Sequence, residues 1–334
     1  MHAKEVDQTR PGTGPLPPKV AVVGCGYWGK NIVRNFAELG ALHAVCDANA
    51  SAAEEFARKF HVAACSFDEV LCDSECSAVA IATPAAWHAE HVAAALSAGK
   101  HVFVEKPLAL TIDAARALER TVKGTNRVLM VGHLLQYHPI FRALLDLVRR
   151  GRLGTIRHVF SNRLNFGKLR TEEDVIWSFA PHDISMILAI LGEEPTEISV
   201  HASAILDPKI SDIADLHLRF PGGATARVSV AWLNPYKEQK LVVMGSRAHA
   251  VFDDTLAWAD KLMLYDHRVE FNAGRPQAVA AQPERVIVEQ REPLREECAH
   301  FLDCIAMGKT PRTDSAEGLR VLAVLQSASH MIPS

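Results

Sequence analysis

Apolar residues in the first third of the chain fall into short unbroken runs separated by segments of helical spacing. Runs at 19–23, 42–47, 77–82, 101–105 and 128–132 predict strands, and segments near 28–39, 51–60, 86–98 and 111–123 predict helices. Ala78-Val-Ala-Ile-Ala82 is apolar throughout, the pattern of a parallel strand covered on both faces. Strands and helices alternating over short connections predict a doubly wound α/β sheet, which binds ligands along the carboxyl ends of its strands. From about residue 152 the runs lengthen and alternate. Ala226, Val228, Val230 and Trp232 share one strand face, with Thr225, Arg227 and Ser229 on the other. Phe220-Pro-Gly-Gly223 reads as the turn of a hairpin between 213–220 and 224–232. Further strands are expected near 155–165, 196–206, 238–245 and 248–253. Together they predict an α+β domain with a large, mostly antiparallel open sheet.

At 334 residues the chain has room for about two domains. The boundaries drawn from these patterns are a disordered, proline-rich tail at 1–17, a Rossmann domain at 18–138 and a second domain at 139–334. The tail lacks the apolar core of a signal peptide, and no run approaches a membrane span, so a cytoplasmic protein is expected. Charge is nearly balanced, 36 basic side chains against 39 acidic, which makes nucleic acid a poor partner. The seven cysteines form no C-x-x-C pair and read as buried thiols in a reducing compartment. His88/His91 and His133/His138 have no acid or cysteine at zinc-like spacing, so no metal is expected.

Chemistry enters with Gly24-x-Gly26-x-x-Gly29, which follows the first strand and opens the first helix. Glycines at these positions allow a tight turn, close approach of a pyrophosphate and tight helix–strand packing, with the anion on the helix N-terminus. The second strand ends in Asp47, 18 residues after Gly29, where a carboxylate meets the adenosine ribose. Asp47 would repel a 2′-phosphate, and Ala48-Asn-Ala-Ser51 offers no arginine to receive one, so NAD is expected over NADP. Two more strands end in unusual residues: Thr83-Pro84, and Glu105-Lys106-Pro107, whose lysine is set at the crevice by a stiff backbone that can include a cis bond. A solvated loop lysine is the competing reading of Lys106.

These motifs, with His88 four residues after Pro84, resemble the Gfo/Idh/MocA family of sugar and polyol oxidoreductases. Gly132-His-Leu-Leu-Gln-Tyr-His-Pro139 is similar to the family's junction between domains, and Glu297 to Pro311 with the helix near 315–331 to its closing segment. The resemblance implies an open-sheet second domain for substrate and for homo-oligomerisation, as a dimer or tetramer. It also implies that Gly24, Gly26, Tyr27, Trp28, Gly29, Asp47, Thr83, Pro84, His88, Glu105, Lys106 and Gln136 line the cofactor, and that Tyr137 meets substrate.

Glu172 to Asp183 leads into an apolar helix, and Pro181 reads as its first residue, which puts His182 and Asp183 in the first turn. The resemblance implies that His182 lies near the nicotinamide with Lys106. An aspartate common in the family four residues before that histidine is Ser178 here, leaving Asp183 or Asp174 to orient it. The competing reading of His182 is a capping or core histidine. The chemistry expected is oxidation of a secondary alcohol, with His182 as base and Lys106 steadying the alkoxide, the roles being exchangeable. Arg163 and Asn165 share a strand face, and Lys168 and Arg170 follow; these cations either hold the diphosphate of a nucleotide sugar or form a solvated basic loop. The segment around Val175-Ile-Trp177 resembles family members that oxidise the 3-hydroxyl of UDP-N-acetylglucosamine-type sugars, whose keto products pass to an aminotransferase. An inositol or free-sugar dehydrogenase, and a non-catalytic NAD-bound sugar sensor, are the alternatives.

Overall fold

The structure, a computed structural model, describes residues 17–332 apart from residue 168. The expected tail, Pro17 excepted, lies outside the described residues.

The first layer runs β1 (Val20–Val23), α1 (Gly29–Glu38), β2 (Leu42–Cys46), α2 (Ala50–Phe60), β3 (Ala63–Ala64), α3 (Phe67–Cys72), β4 (Ala78–Ile81), α4 (His88–Ser97), β5 (His101–Glu105), α5 (Ile112–Lys123) and β6 (Leu129–Gly132). The strands pair in parallel in the order β3-β2-β1-β4-β5-β6. This is the Rossmann order, whose direction of winding reverses between β1 and β4. Side chains of β1, β4 and β6 are buried on both faces, which is why their sequences are continuously apolar. The pair β3 and α3 is not expected from the sequence: two residues make too short a run to stand out, and α3, opened by a capping box of Ser66 and Glu69, has only six residues.

The second layer runs α6 (Pro139–Arg149), β7 (Ile156–Phe166), α7 (Val175–Leu191), β8 (Glu197–Ser203), β9 (Ile213–Arg219), β10 (Thr225–Ala231), β11 (Leu233–Gly245), β12 (His249–Asp253), β13 (Leu262–Tyr265), β14 (Arg268–Asn272), β15 (Arg275–Val279), β16 (Glu284–Arg285), α8 (Pro293–Met307) and α9 (Ser315–Ser329). Eight of these strands form one sheet, β16-β13-β12-β11-β7-β10-β9-β8, antiparallel except for β7 beside β10. The glycine turn closes the β9–β10 hairpin, with Gly223 at φ +81°. Ala226, Val228, Val230 and Trp232 are buried as their alternation requires.

One segment crosses the boundary drawn at 138/139. Leu294, Cys298, Phe301 and Leu302 of α8 pack with Phe36 and Phe103 in the core of the first layer. α9 lies against both α5 and α7. The two layers therefore share buried surface on either side of the crevice between them. Among the described residues no helix is long and apolar enough to cross a membrane.

Candidate active site

The cofactor wall is assembled at the junction of β1, α1, β2 and β4. Gly24 adopts φ +94°, and a Cβ there would lie 2.6 Å from the carbonyl oxygen of Ala82. At Gly29 a Cβ would lie 1.8 Å from the carbonyl oxygen of Gly24, so turn and helix meet only without side chains. At Gly26 a Cβ would meet nothing within 4 Å, which leaves the backbone open to a ligand. No side chain caps α1 and no acid lies in its first turn, so the positive end of the helix faces this opening. Asp47 stands beside it, accepting hydrogen bonds from the N–H groups of Cys25 at 2.7 Å and Asn49 at 2.8 Å. An open cradle at a helix N-terminus with an acid at the end of β2 fits a dinucleotide.

Several expected cofactor residues serve the cradle instead of lining it. His88 is buried, with Nδ1 2.7 Å from the carbonyl oxygen of Pro107 and Nε2 2.8 Å from that of Thr83. It ties the ends of β4 and β5 together, and no ring nitrogen is left for a cofactor. Gln136 is also buried and its amide donates to the carbonyl and hydroxyl of Ser185, at 2.8 and 2.9 Å. Tyr137, expected to meet substrate, is 1% exposed, and its hydroxyl is paired with Thr313 at 2.8 Å. Both residues are corrected to the interdomain core. Trp28 ties the start of α1 to the end of β5 within the first layer: its indole N–H donates to Glu105 at 2.5 Å. Burial raises the Glu105 carboxyl to about 7, against the opposing pull of the Trp28 bond and of Lys106.

The opposite wall is α7, and here the structure departs from the expected helix start. Asp174 caps the helix, accepting from the N–H groups of Ile176 and Trp177 at 2.9 and 3.0 Å. Pro181 therefore lies inside the helix, and His182 and Asp183 sit two turns in. A proline at 181 supplies no N–H to the carbonyl four residues back, that of Trp177, and disturbs the ladder there. The next carbonyl, that of Ser178, accepts a hydrogen bond from Lys106 Nζ at 3.0 Å. This bond joins the end of β5, across a cis Lys106–Pro107 peptide, to the helix face that carries His182 one turn on.

Burial holds the Lys106 ammonium below its ordinary pKa, helped by Arg170 and Arg163 and opposed by Glu173 and Glu105. Burial lowers His182 well below the ordinary imidazole value, with Lys106, Arg163 and His133 adding to the effect. The imidazole thus feels the charges of Lys106 and Arg163, and its buried Nδ1 has no hydrogen-bond partner among the described residues.

Asp183, expected to be catalytic, is 1% exposed and committed elsewhere. It receives Arg163 through two bonds of 2.7 and 3.1 Å and Ser161 through one of 2.6 Å. It places Arg163, whose charge both Lys106 and His182 feel. The proposed cation cluster is not free: Arg163 is bound to Asp183, and Arg170 lies 3.7 Å from Glu173. Lys168 lies outside the described residues, and Asn165 is partly exposed on β7. The sequence reading missed Glu173 near Lys106 and the buried chain His133–Glu317–Ser185, with bonds of 2.6 Å each. Residues up to 184 positions apart leave no local pattern.

Residues 18–133 match the family model described as an oxidoreductase family with an NAD-binding Rossmann fold, and 141–251 match the Gfo/Idh/MocA C-terminal domain. The chain is 29% identical to UDP-N-acetylglucosamine 3-dehydrogenase of Acidithiobacillus ferrooxidans, over 91% of this chain and 94% of that one. It is 25% identical to inositol 2-dehydrogenase of Rhizobium meliloti, over 86% and 88%. The solved Acidithiobacillus structure superposes with a TM-score of 0.83 at 26% identity, covering 94% of this chain and 97% of that one. Fold, glycine cradle and sequence likeness agree that the chain belongs to the Gfo/Idh/MocA family of oxidoreductases.

Proposed function

We propose that this protein is an NAD-dependent dehydrogenase that oxidises the 3-hydroxyl of a nucleotide sugar, UDP-N-acetylglucosamine or its uronate. The observation that supports the reading is the Lys106–Ser178 bond, which ties a lysine of one layer to the helix of the other that carries His182. Gly24, Gly26, Gly29 and Asp47 would hold NAD, which would supply the hydride acceptor. His182 takes the hydroxyl proton, which a neutral imidazole can do. Lys106 donates to the same oxygen and stabilises negative charge as the carbonyl forms. Glu173, Glu105 and the Ser178 carbonyl offset the cost of keeping that cation partly buried. Asp47 favours NAD by repelling a 2′-phosphate. The nucleotide moiety rests on the likeness to the Acidithiobacillus enzyme. The protein works in the cytoplasm as a homo-oligomer, and its keto product is a substrate for an aminotransferase.

The ion pairs of Arg163 and Arg170 favour a second reading, an inositol or free-sugar dehydrogenase, because neither guanidinium is left unpaired for a diphosphate. One assay separates the readings. NADH absorbance is followed with NAD or NADP against UDP-hexosamines, their uronates, inositols and free sugars. 2-Oxoglutarate and a coupled aminotransferase are included to draw off an unfavourable keto product. Reduction of NAD by UDP-N-acetylglucosamine or its uronate is expected. Turnover with inositol alone would replace the substrate, and sugar binding without any reduction would leave a sensor.

A further inference from the structure

A second concave site opens between α6 and α8, and none of its residues belongs to the crevice just described. A cleft of about 370 Å³ is walled by Arg142, Arg149, Arg291 and Arg312 with Asp146 and Glu296. Four arginines and two carboxylates line it; with Arg150 and Glu289, which pair with Asp146 and Arg291, five cations meet three acids, an excess of two positive charges. Both carboxylates are also engaged. Asp146 meets Arg150 at 2.9 Å, Glu296 is shared between Arg291 at 3.2 Å and Arg142 at 3.9 Å, and Arg291 also meets Glu289 at 3.4 Å. Arg149 and Arg312 make no ion pair among the described residues.

Arg312 is set firmly into this wall. Its guanidinium stacks 4.9 Å from the ring centre of Tyr137, and it donates to the carbonyl oxygen of Gln136 at 3.3 Å. Burial lowers its pKa, and the charges of Arg142 and Arg149 lower it further. Like charges gathered around a partly buried guanidinium raise the energy of the empty cleft, and an anion relieves it. Guanidinium forks match the oxygen pairs of a phosphate, and the volume lies in the range of small-molecule sites.

We propose that this cleft is a second ligand site, built for a phosphate-bearing small molecule that carries at least two negative charges. The excess of two positive charges sets the minimum charge of the ligand, and the arginine forks set its chemistry. The site is separate from the glycine cradle, so both can be filled at once.

The test uses the full chain saturated with NADH, so that the glycine cradle cannot take up the probe. Inorganic pyrophosphate is then titrated calorimetrically at low ionic strength. One site per chain is expected, weakening as salt is added. Arg149→Gln and Arg291→Gln lie on exposed positions, so each should bind NADH as the wild type does. Their combination should weaken pyrophosphate at least tenfold, whereas Lys59→Gln, on α2 against β2 and β3, should change nothing. Absence of pyrophosphate binding in the wild type would overturn the proposal. So would equal affinity in the Arg149→Gln/Arg291→Gln variant. Neither result depends on which sugar the crevice oxidises.

Discussion

The glycine turn and the middle of α7 face the same crevice but are held by different kinds of contact. The turn is shaped by residues that follow one another: Gly24, Gly26 and Gly29 close it, and Asp47 reaches back over 22 positions to Cys25. The α7 wall is shaped by pairs far apart in the chain, Lys106 with Ser178 across 72 positions and Ser185 with Glu317 across 132. A wall made of backbone excludes side chains, whereas a wall made of side chains depends on which charges and carbonyls meet. Damage to the first should appear in cofactor affinity, and damage to the second in turnover and in the stability of a buried ion pair.

The sharpest way to break this contrast is at the reacting groups. His182→Ala and Lys106→Ala should each lower kcat by roughly 10²–10⁴, with the dissociation constant of NADH nearly unchanged. Steady-state kinetics with the sugar that the wild type oxidises decides it, and full turnover by either variant ends the assignment. Next comes Asp183→Ala, which strands Arg163 at 13% exposure without its partner. Loss of one member of a buried pair costs about 3–5 kcal/mol, read as a fall in thermal midpoint with NADH binding retained by the folded fraction.

On the cofactor side, Gly29→Ala should cost about 1–3 kcal/mol through its backbone clash. Borne by the cradle alone, that is a roughly 5- to 150-fold rise in the NADH dissociation constant. Gly26→Ala meets no protein atom and should leave stability unchanged while weakening NADH, a comparison that fluorescence titration reads directly. The smallest effect concerns Glu105, raised from 4.5 to about 7 in the folded chain. A carboxyl raised in this way favours the folded state below pH 4.5, and the benefit is lost as pH rises through 7. Glu105→Gln keeps an acceptor for Trp28 but does not titrate. Its stability should therefore gain on the wild type between pH 5 and 8, by no more than about 3 kcal/mol. Parallel denaturation curves at both pH values would remove this account.

The glycine cradle was readable because each requirement is local. A small-residue strand, three glycines and an acid at the next strand end specify it without knowledge of anything else in the chain. The start of α7 is hidden for an equally local reason. Proline is favoured in a first turn, but Asp174 offers a cap seven residues earlier, and the buried Val175 and Ile176 extend the helix back to it. Asp183 does not take the orienting role left open by Ser178, because helical geometry turns adjacent residues about 100° apart. That rotation sends Asp183 to Ser161 and Arg163 on β7.

Sequence alone determined the parallel sheet, the antiparallel sheet and the cofactor cradle, since period, turn residues and backbone freedom are properties of short stretches. Tertiary structure decided the protonation and partners of Lys106, His182 and Glu105, the burial of Tyr137 and Gln136, and the return of α8 to the first core. The physical reason is that desolvation and charge–charge energy depend on distance through space, and distance along the chain does not report it.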